Sequence, residues 1–571
     1  MAAALAVAVI AAVAPAPAAS EKGVDLVLAP AQTLRGPVSG PWTTPDFDDG
    51  AWSAAAGTSN SPAAVAPPSP ASPGPLRIRR RFDVDAPERI RALELRISYA
   101  DGLIAFLNGV QIAVRGLAEG AGPEDLPVRP HGPEVESIYV EPAPGALRPR
   151  GNVLAVEIRG KAPAGTVGLK ASAGVEIVRG PYLARPRETE MTVIWETNLP
   201  ATGSVTLSPD EQSPMVVRGP RRPSHRQVVR LTGLRPDTTY RYVAEATAAP
   251  AADVERAGPL SFRTPPRRGK PLRFAVYGDM RAPGHADHAA VVAGLIKEAP
   301  PFVVNTGDLV NRGNEESDWQ RYFQISSPLG VSAAVVPALG NHDAGRGGLG
   351  ARKTWDLFDM PTAAGSEPGY TSFEIAGVHF IILDSNRWAS AAQRDWLRAD
   401  LARAQSRRAR RRLRAIFAFC HDGPFSNGPH GGNAEAARVY APLLQAAKVD
   451  MLFSGHDHLY QRGAVDGLPY IVSGGGGAPL YDPTCVPRNA VRMDTARRPL
   501  PDCPAAVATI ARAHHYVMVE VSARTARFCP RFPDGTTIEP CVTFDLAAVP
   551  PGAGRRSISR DAALPDTAPT P

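Results

Sequence analysis

The chain has 571 residues, enough for three or four domains at roughly 150 residues each. Its 52 glycines and 59 prolines are nearly a fifth of the sequence, against about 12% in average usage; with only 21% charged residues, this favours loop-rich β modules over a helical bundle. A hydrophobic fraction of 44% excludes global disorder, and a net charge of +7 from 63 basic and 56 acidic residues is too nearly balanced to argue for a polyanion-binding protein.

Residues 1–19, MAAALAVAVIAAVAPAPAA, are apolar, and Ala16-Pro17-Ala18 offers a small-residue cleavage site. The segment reads as a signal peptide, although it lacks a basic n-region. No later stretch approaches about 18 uninterrupted apolar residues, so no membrane span is expected. The mature protein is expected to be secreted, periplasmic or at the cell surface.

Residues 23–175 read as all-β. Leu93, Leu95 and Ile97 alternate with Glu94, Arg96 and Ser98, the period of a half-buried strand. Two apolar runs flank Asn108-Gly109, a strong hairpin signal. The segments PDFDDGAW (45–52), YADGLIAFLNG (99–109) and GNVLAVEI (151–158) resemble the galactose-binding-like jelly roll. That resemblance implies a spacer or docking sandwich, with glycan contact as a further possibility. Residues 178–266 form a second β module. Its Leu234-x-Pro236-x-Thr238-x-Tyr240 looks like the strand entry of fibronectin type III sandwiches. Its opening RGPYL and closing FRTPP look like the sandwich that precedes the catalytic domain of purple acid phosphatases. No chemistry is expected there.

Residues 268–547 change character, with apolar runs that do not alternate: LRFAVYGD, PFVVNTGD, AAVVPALGNHD, AIFAFCHD and VDMLFSGHDH. Such runs suit strands buried on both faces. The basic run RRARRRLR at 407–414 follows a helical pattern and precedes AIFAF; its cations suit a helix C-terminus better than nucleic acid. The Pro/Ala/Ser/Arg-rich residues 548–571 read as a disordered tail. Cys529 and Cys541 flank a turn signal at Pro533-Asp534-Gly535, and Cys485 and Cys503 lie in one Pro-rich insertion. Both pairs are candidate disulfides and Cys420 a buried free thiol, with other pairings open.

Each of the five runs ends in metal-competent residues: Asp279, Asp308, Asn341-His342-Asp343, His421-Asp422 and His456-Asp457-His458. Ligands of α/β sheets gather outside the carboxyl ends of strands, so these groups are expected to converge. Carboxylates and imidazoles without thiolates suit borderline divalent metals or ferric iron, and one shared carboxylate would hold two ions about 3.5–4 Å apart. Glycine precedes Asp279, Asp308, Asn341 and His456, as if to let the chain turn where each ligand leaves its strand.

Taken together, GD-x(28)-GD-x(31)-GNHD-x(77)-H-x(33)-GHDH, read from Gly278 to His458, resembles the calcineurin-like metallophosphoesterase family, and with the preceding sandwich its purple acid phosphatase relatives. The resemblance implies two all-β sandwich domains followed by a four-layer αββα metallophosphoesterase domain. It implies two di- or trivalent ions (Fe, Zn or Mn), the first on Asp279 and His458, the second on Asn341, His421 and His456, with Asp308 bridging. It makes His342 the group that meets the phosphate and protonates the leaving oxygen, and Asp343 the residue that orients it. Metal-activated hydroxide then attacks a phosphate ester.

Two positions depart from the pattern. Arg281 stands where many members have a histidine ligand, and Asn311 where purple acid phosphatases have a tyrosine. The tyrosine–iron colour is therefore not expected. Arg281 is a candidate phosphate contact, with a structural ion pair as the alternative; Asn311 and His430 are further candidate contacts. His285 and His288 read as surface residues, Arg462, His514 and His515 as structural, and the glycines at 474–477 as a tight loop, since no Lys-Ser/Thr of a P-loop follows. The functional expectation is an exported phosphomonoesterase acting on a small phosphate ester, with no nucleic acid partner. The alternatives are a phosphodiesterase or nucleotidase on the same site, or a catalytically lapsed surface carbohydrate-binding protein.

Overall fold

The computed structural model describes residues 23–546 except 36–37, 55–73, 118–133, 160–166, 210–212, 250–252, 282–283, 346–347, 363–367, 487–499 and 505. The signal-peptide and tail segments, 1–19 and 548–571, lie outside the described residues.

The N-terminal unit is two antiparallel sheets. One orders the strands Gly23–Asp25, Val167–Ser172, Ala92–Tyr99 and Glu134–Val140; the other runs Ser53–Ala54, Gln32–Arg35, Leu76–Phe82, Asn152–Arg159, Gly102–Leu107 and Val110–Arg115. Leu93, Leu95 and Ile97 are fully buried and pack with Ile78, Val156 and Leu103 in a core of their own. The Asn108-Gly109 hairpin forms as expected, both residues at positive φ (50° and 90°), the backbone that matches the twist of paired strands. The 45–52 segment is structural: buried Asp49 accepts a hydrogen bond from Arg79 Nε at 2.8 Å.

The second β unit is organised on one long strand, Glu190–Ser208, which pairs with the strands Ile177–Ala184, Met215–Arg218, Ser224–Thr232 and Thr239–Ala248. At the entry to the last of these, Tyr240 Oη accepts the Arg235 amide at 2.8 Å, closing the corner that the Leu-x-Pro-x-Thr-x-Tyr spacing announced. This unit shares its hydrophobic core with the α/β region. The Tyr182 ring lies 4.6 Å from Phe323, and the Tyr182 and Tyr242 hydroxyls donate to Leu357 and Val331 carbonyls at 2.7 and 2.8 Å.

The α/β region is two sheets packed face to face. One orders Ala334–Pro337, Phe302–Asn305, Leu272–Tyr277, Tyr516–Val521, Thr525–Arg531 and Val542–Asp545; the other orders Thr371–Ile375, Val378–Ile382, Ala415–Phe419, Met451–Ser454, Leu468–Ser473, Tyr460–Val465 and Val507–Ala511. Alternation explains the unbroken apolar runs. Phe417, Phe419 and Phe453 face the opposing sheet, where Phe274 stacks on Phe302 and meets Phe380 at 5.2 Å. Ile416, Ala418 and Leu452 face the other way, against Leu397 and Leu401 of helix Ala391–Ala409 and Leu444 of helix Ala441–Ala446. Helices His285–Glu298 and Glu316–Gly330 contribute Leu295 and Trp319 to the core on the first sheet's side. The architecture is the four-layer αββα arrangement preceded by β sandwiches. No helix among the described residues is long and apolar enough to cross a membrane.

The basic run ends the helix Ala391–Ala409 and is used locally: Arg407 pairs with Glu374 at 2.6 Å, and Arg408 with Asp450. Cys485–Cys503 and Cys529–Cys541 are bonded, and Cys420 is a buried free thiol.

His288 corrects the sequence reading. His285 opens its helix half-buried, but His288, one turn on, is 1% exposed, its ring 5.9 Å from Tyr322. Burial lowers it to about 3, and burial lowers His515 to about 4. The unfolded chain takes up these protons below about pH 6.5 while the native chain does not. Acidification from about pH 6.5 toward 4 is therefore expected to cost about 1.4 kcal/mol per pH unit for each imidazole. A falling Tm over that window, flattened in His288→Phe, is the expected result; a Tm independent of pH there contradicts it.

Candidate metal centre

Five strands, Leu272–Tyr277, Phe302–Asn305, Ala334–Pro337, Ala415–Phe419 and Met451–Ser454, end at one crevice. The turns that follow them carry Asp279, Asp308, Asn341, His421 and His456. The sharp turns are made by ligands themselves: Asp279, Asp308 and His456 have φ of 61°, 54° and 70°. Of the preceding glycines, Gly307 also has positive φ (100°), but the others serve close approach. A Cβ on Gly278 would stand 2.0 Å from Thr306 Oγ1, on Gly340 2.0 Å from Asp308 Oδ1, and on Gly455 2.3 Å from Asp279 Oδ2. The expectation that glycine supplies the turn holds at Gly307 and is corrected at Gly278, Gly340 and Gly455, where glycine leaves room for Thr306, Asp308 and Asp279.

The donors converge. His421, with no solvent exposure, donates its Nδ1–H to the Thr306 carbonyl (2.9 Å), which leaves Nε2 as a lone pair. Facing that lone pair are Asn341 Oδ1 at 3.0 Å, His456 Nδ1 at 3.2 Å and Asp308 Oδ1 at 3.4 Å. Atoms bound about 2.0–2.2 Å from one ion lie about 3–3.5 Å from each other, so the set fits a cation. On the other side, His458 donates Nδ1–H to the Pro479 carbonyl (2.6 Å) and turns Nε2 to Asp279 Oδ1 at 3.6 Å. Ligand atoms of Asp279, Asp308 and His421 all fall within 4.8 Å of one another.

Electrostatics agree with the geometry. Burial, then the Asp308 charge, raises Asp279 well above the ordinary carboxylate range. Asp308, although burial opposes it, is held low by His421, His342 and Arg281. Burial and the neighbouring imidazoles lower His456 to about 3, and burial lowers His458 to about 4, so both are neutral electron-pair donors near neutral pH. A cation relieves the conflict between two buried carboxylates.

His342 lies at the rim. Its Nδ1–H donates to the Asn311 carbonyl (2.7 Å), and Nε2 stands 4.0 Å from Asp308 Oδ2. Asp343 does not orient it, contrary to the sequence reading. The fully buried Asp343 carboxylate accepts amides from Leu309 (2.9 Å), Val310 (3.2 Å) and Gly340 (3.0 Å), tying the Asp308 turn to the Asn341 turn. Burial and Asp308 push it up to about 8. Asn311 thus enters through its backbone. Arg281 forms an ion pair, Nε to Asp308 Oδ2 at 3.4 Å, directly at the centre.

The exposed His430 sits over the mouth, its ring 4.5 Å from His456; its amide donates to Asp457 Oδ1 at 3.1 Å. Tyr481 escaped the sequence reading. Its ring stacks on His458 at 4.0 Å, and its hydroxyl accepts from Arg281 Nη2 at 3.4 Å. It lies four residues before Cys485, outside the bridged segment, and no motif marks it. The glycines at 474–477 form a tight loop: the Gly474 and Gly476 amides donate to Leu459 and Gly278 carbonyls, and a Gly474 Cβ would lie 3.0 Å from Asp279 Oδ2. Arg462 pairs with Glu539 at 2.7 Å, His514 with Asp287 at 3.4 Å, and His515 with Ser473 at 3.1 Å.

Two facing sheets with strand-end carboxylates and imidazoles around a cation-sized gap define a metallophosphoesterase domain. Residues 272–460 match the family model described as calcineurin-like phosphoesterase, so the chain carries a domain of that family. Purple acid phosphatase 22 of Arabidopsis thaliana is 28% identical over 246 residues, 41% of this chain and 52% of its own length. An uncharacterized protein of Mycobacterium tuberculosis is 26% identical over 271 residues, 41% of this chain and 49% of its own. The chain spans about half the length of these curated relatives. A purple acid phosphatase from yellow lupin seeds shares the fold, with a TM-score of 0.57 over 82% of this chain and 93% of that one at 15% identity.

Proposed function

We propose that the protein is an exported, metal-dependent phosphoric ester hydrolase that favours phosphomonoesters. The observation that carries this is the convergence of His421 Nε2, Asn341 Oδ1, His456 Nδ1 and Asp308 Oδ1 within 3.0–3.4 Å of the first of them. Asn341, His421 and His456 would hold one cation, Asp279 and His458 another, and Asp308 both. When bound, such cations supply charge for the phosphoryl oxygens and acidify the attacking water. The chain's own contribution is positional. Thr306 and Pro479 fix the imidazole tautomers, as second partners of ligating histidines do. Asn311 aims His342 Nε2 at the crevice, where the protonated ring gives its proton to the departing alkoxide, while Arg281, His430 and Tyr481 surround a dianionic phosphate.

Two disulfides suit an oxidising compartment, which supports export. We assign residues 23–175 as a galactose-binding-like module, a spacer or docking sandwich, and 178–266 as a fibronectin III-like one without chemistry. The four donors that converge at His421 argue against a lapsed catalyst. Turnover of p-nitrophenyl phosphate is expected to exceed that of bis-p-nitrophenyl phosphate; the reverse order assigns a phosphodiesterase.

A further inference from the structure

The two halves of the donor set are unequal. The half around His421 has four donors from four strand ends, three of them uncharged, and its Asp308 oxygen Oδ1 faces the His421 ring and accepts the His342 amide. The other half has Asp279, His458 and the second Asp308 oxygen. That oxygen, Oδ2, faces the Arg281 guanidinium at 3.4 Å. Arg281 is held there. Its side chain is only 18% exposed, its Nε is buried and has no hydrogen-bond partner, and its Nη2 donates to Tyr481, whose ring lies flat on His458. A permanently charged group therefore occupies the flank of the carboxylate oxygen that a cation on Asp279 and His458 needs. It also lowers the net negative charge of that half, which disfavours a trivalent ion more than a divalent one.

We propose that the centre binds its cations with very unequal affinity. One divalent ion is held tightly by His421, His456, Asn341 and Asp308 Oδ1; a second divalent ion enters weakly beside Asp279 and His458, and only as Arg281 yields Asp308 Oδ2. Arg281 is a positioning residue that acts through Asp308, a built-in competitor for the second ion. The inference rests on the metal-centre reading above and is tested by binding.

The experiment is a titration of the metal-stripped full chain with Mn²⁺, followed by calorimetry and electron paramagnetic resonance. The expected result is one tight ion per chain with the signal of an isolated Mn²⁺, then a second about 10–100-fold weaker, the range for perturbing a ligand's supporting group. Arg281→His, which removes the charge and adds a donor, should bring the second affinity to within a few-fold of the first and give a spin-coupled pair at two equivalents. Asn341→Ala, away from Arg281, should weaken the tight ion and leave the weak one. Two equally tight ions in the unaltered protein, or a second affinity that Arg281→His leaves unchanged, overturns the proposal. Binding of no ion at all overturns the metal centre itself, and a stoichiometry of zero tells that outcome from the others.

Discussion

Asp308→Asn is expected to lower kcat/KM for phosphate esters by about 10³-fold or more, because cation charge on the phosphoryl oxygens supplies several kcal/mol and each 1.36 kcal/mol is a factor of about ten. The substitution is nearly isosteric and keeps an acceptor for the His342 amide, which now meets Asp308 Oδ1 at 3.0 Å. The local turn should therefore survive. What is lost is the negative charge that faces His421 on one side and Arg281 on the other. Activity should fall together with bound metal, measured by elemental analysis, while the circular dichroism spectrum stays as before. Full activity, or lost activity at unchanged metal content, contradicts the role given to Asp308.

His342→Ala separates acid catalysis from metal binding. The His342 side chain, which the substitution removes, approaches Asp308 Oδ2 at 4.0 Å, and the Asn311 carbonyl fixes its ring. Its removal should leave metal content intact and lower kcat by about 10²–10⁴-fold, the usual reach of a positioned general acid. The loss should be largest for alkyl phosphates, whose leaving alkoxide needs a proton, and smallest for p-nitrophenyl phosphate, whose phenolate departs without one. An equal loss for both substrates removes the acid role; a loss of metal makes His342 a ligand instead.

Much of this centre was legible in the chain, for a physical reason. A strand buried on both faces writes itself as an unbroken apolar run, and the polar group that ends it has to sit at a sheet edge. Five such endings in order mark Asp279, Asp308, Asn341, His421 and His456. The cysteine pairs were legible because each closes a short Pro-rich or turn-centred segment. The misses share a cause, since each depends on what lies across the fold rather than along it. His288 follows an exposed-looking helix start, yet a Cβ on Gly477 would stand 2.6 Å from its own Cβ, and the ring is sealed in there. Asp343 adjoins His342 in sequence, but the helical turn Asn341–Ala344 aims its carboxylate at the amides of Leu309 and Val310. Tyr481 carries no signature of its own and reaches His458 only because its loop folds back, the Tyr481 amide donating to the His458 carbonyl at 3.0 Å.

Hydrolysis at phosphorus here requires strand-end donors to gather cations, and chelation tests that requirement most directly. Phosphate release from p-nitrophenyl phosphate by the full chain is to be followed as purified, after metal removal, and after Mn²⁺ or Zn²⁺ is restored, with His421→Ala alongside. Activity that vanishes on chelation, returns with metal, and does not return in His421→Ala is the predicted result. Hydrolysis that persists in protein stripped below one ion per chain, or a metal-loaded protein that releases no phosphate from any ester, would contradict it.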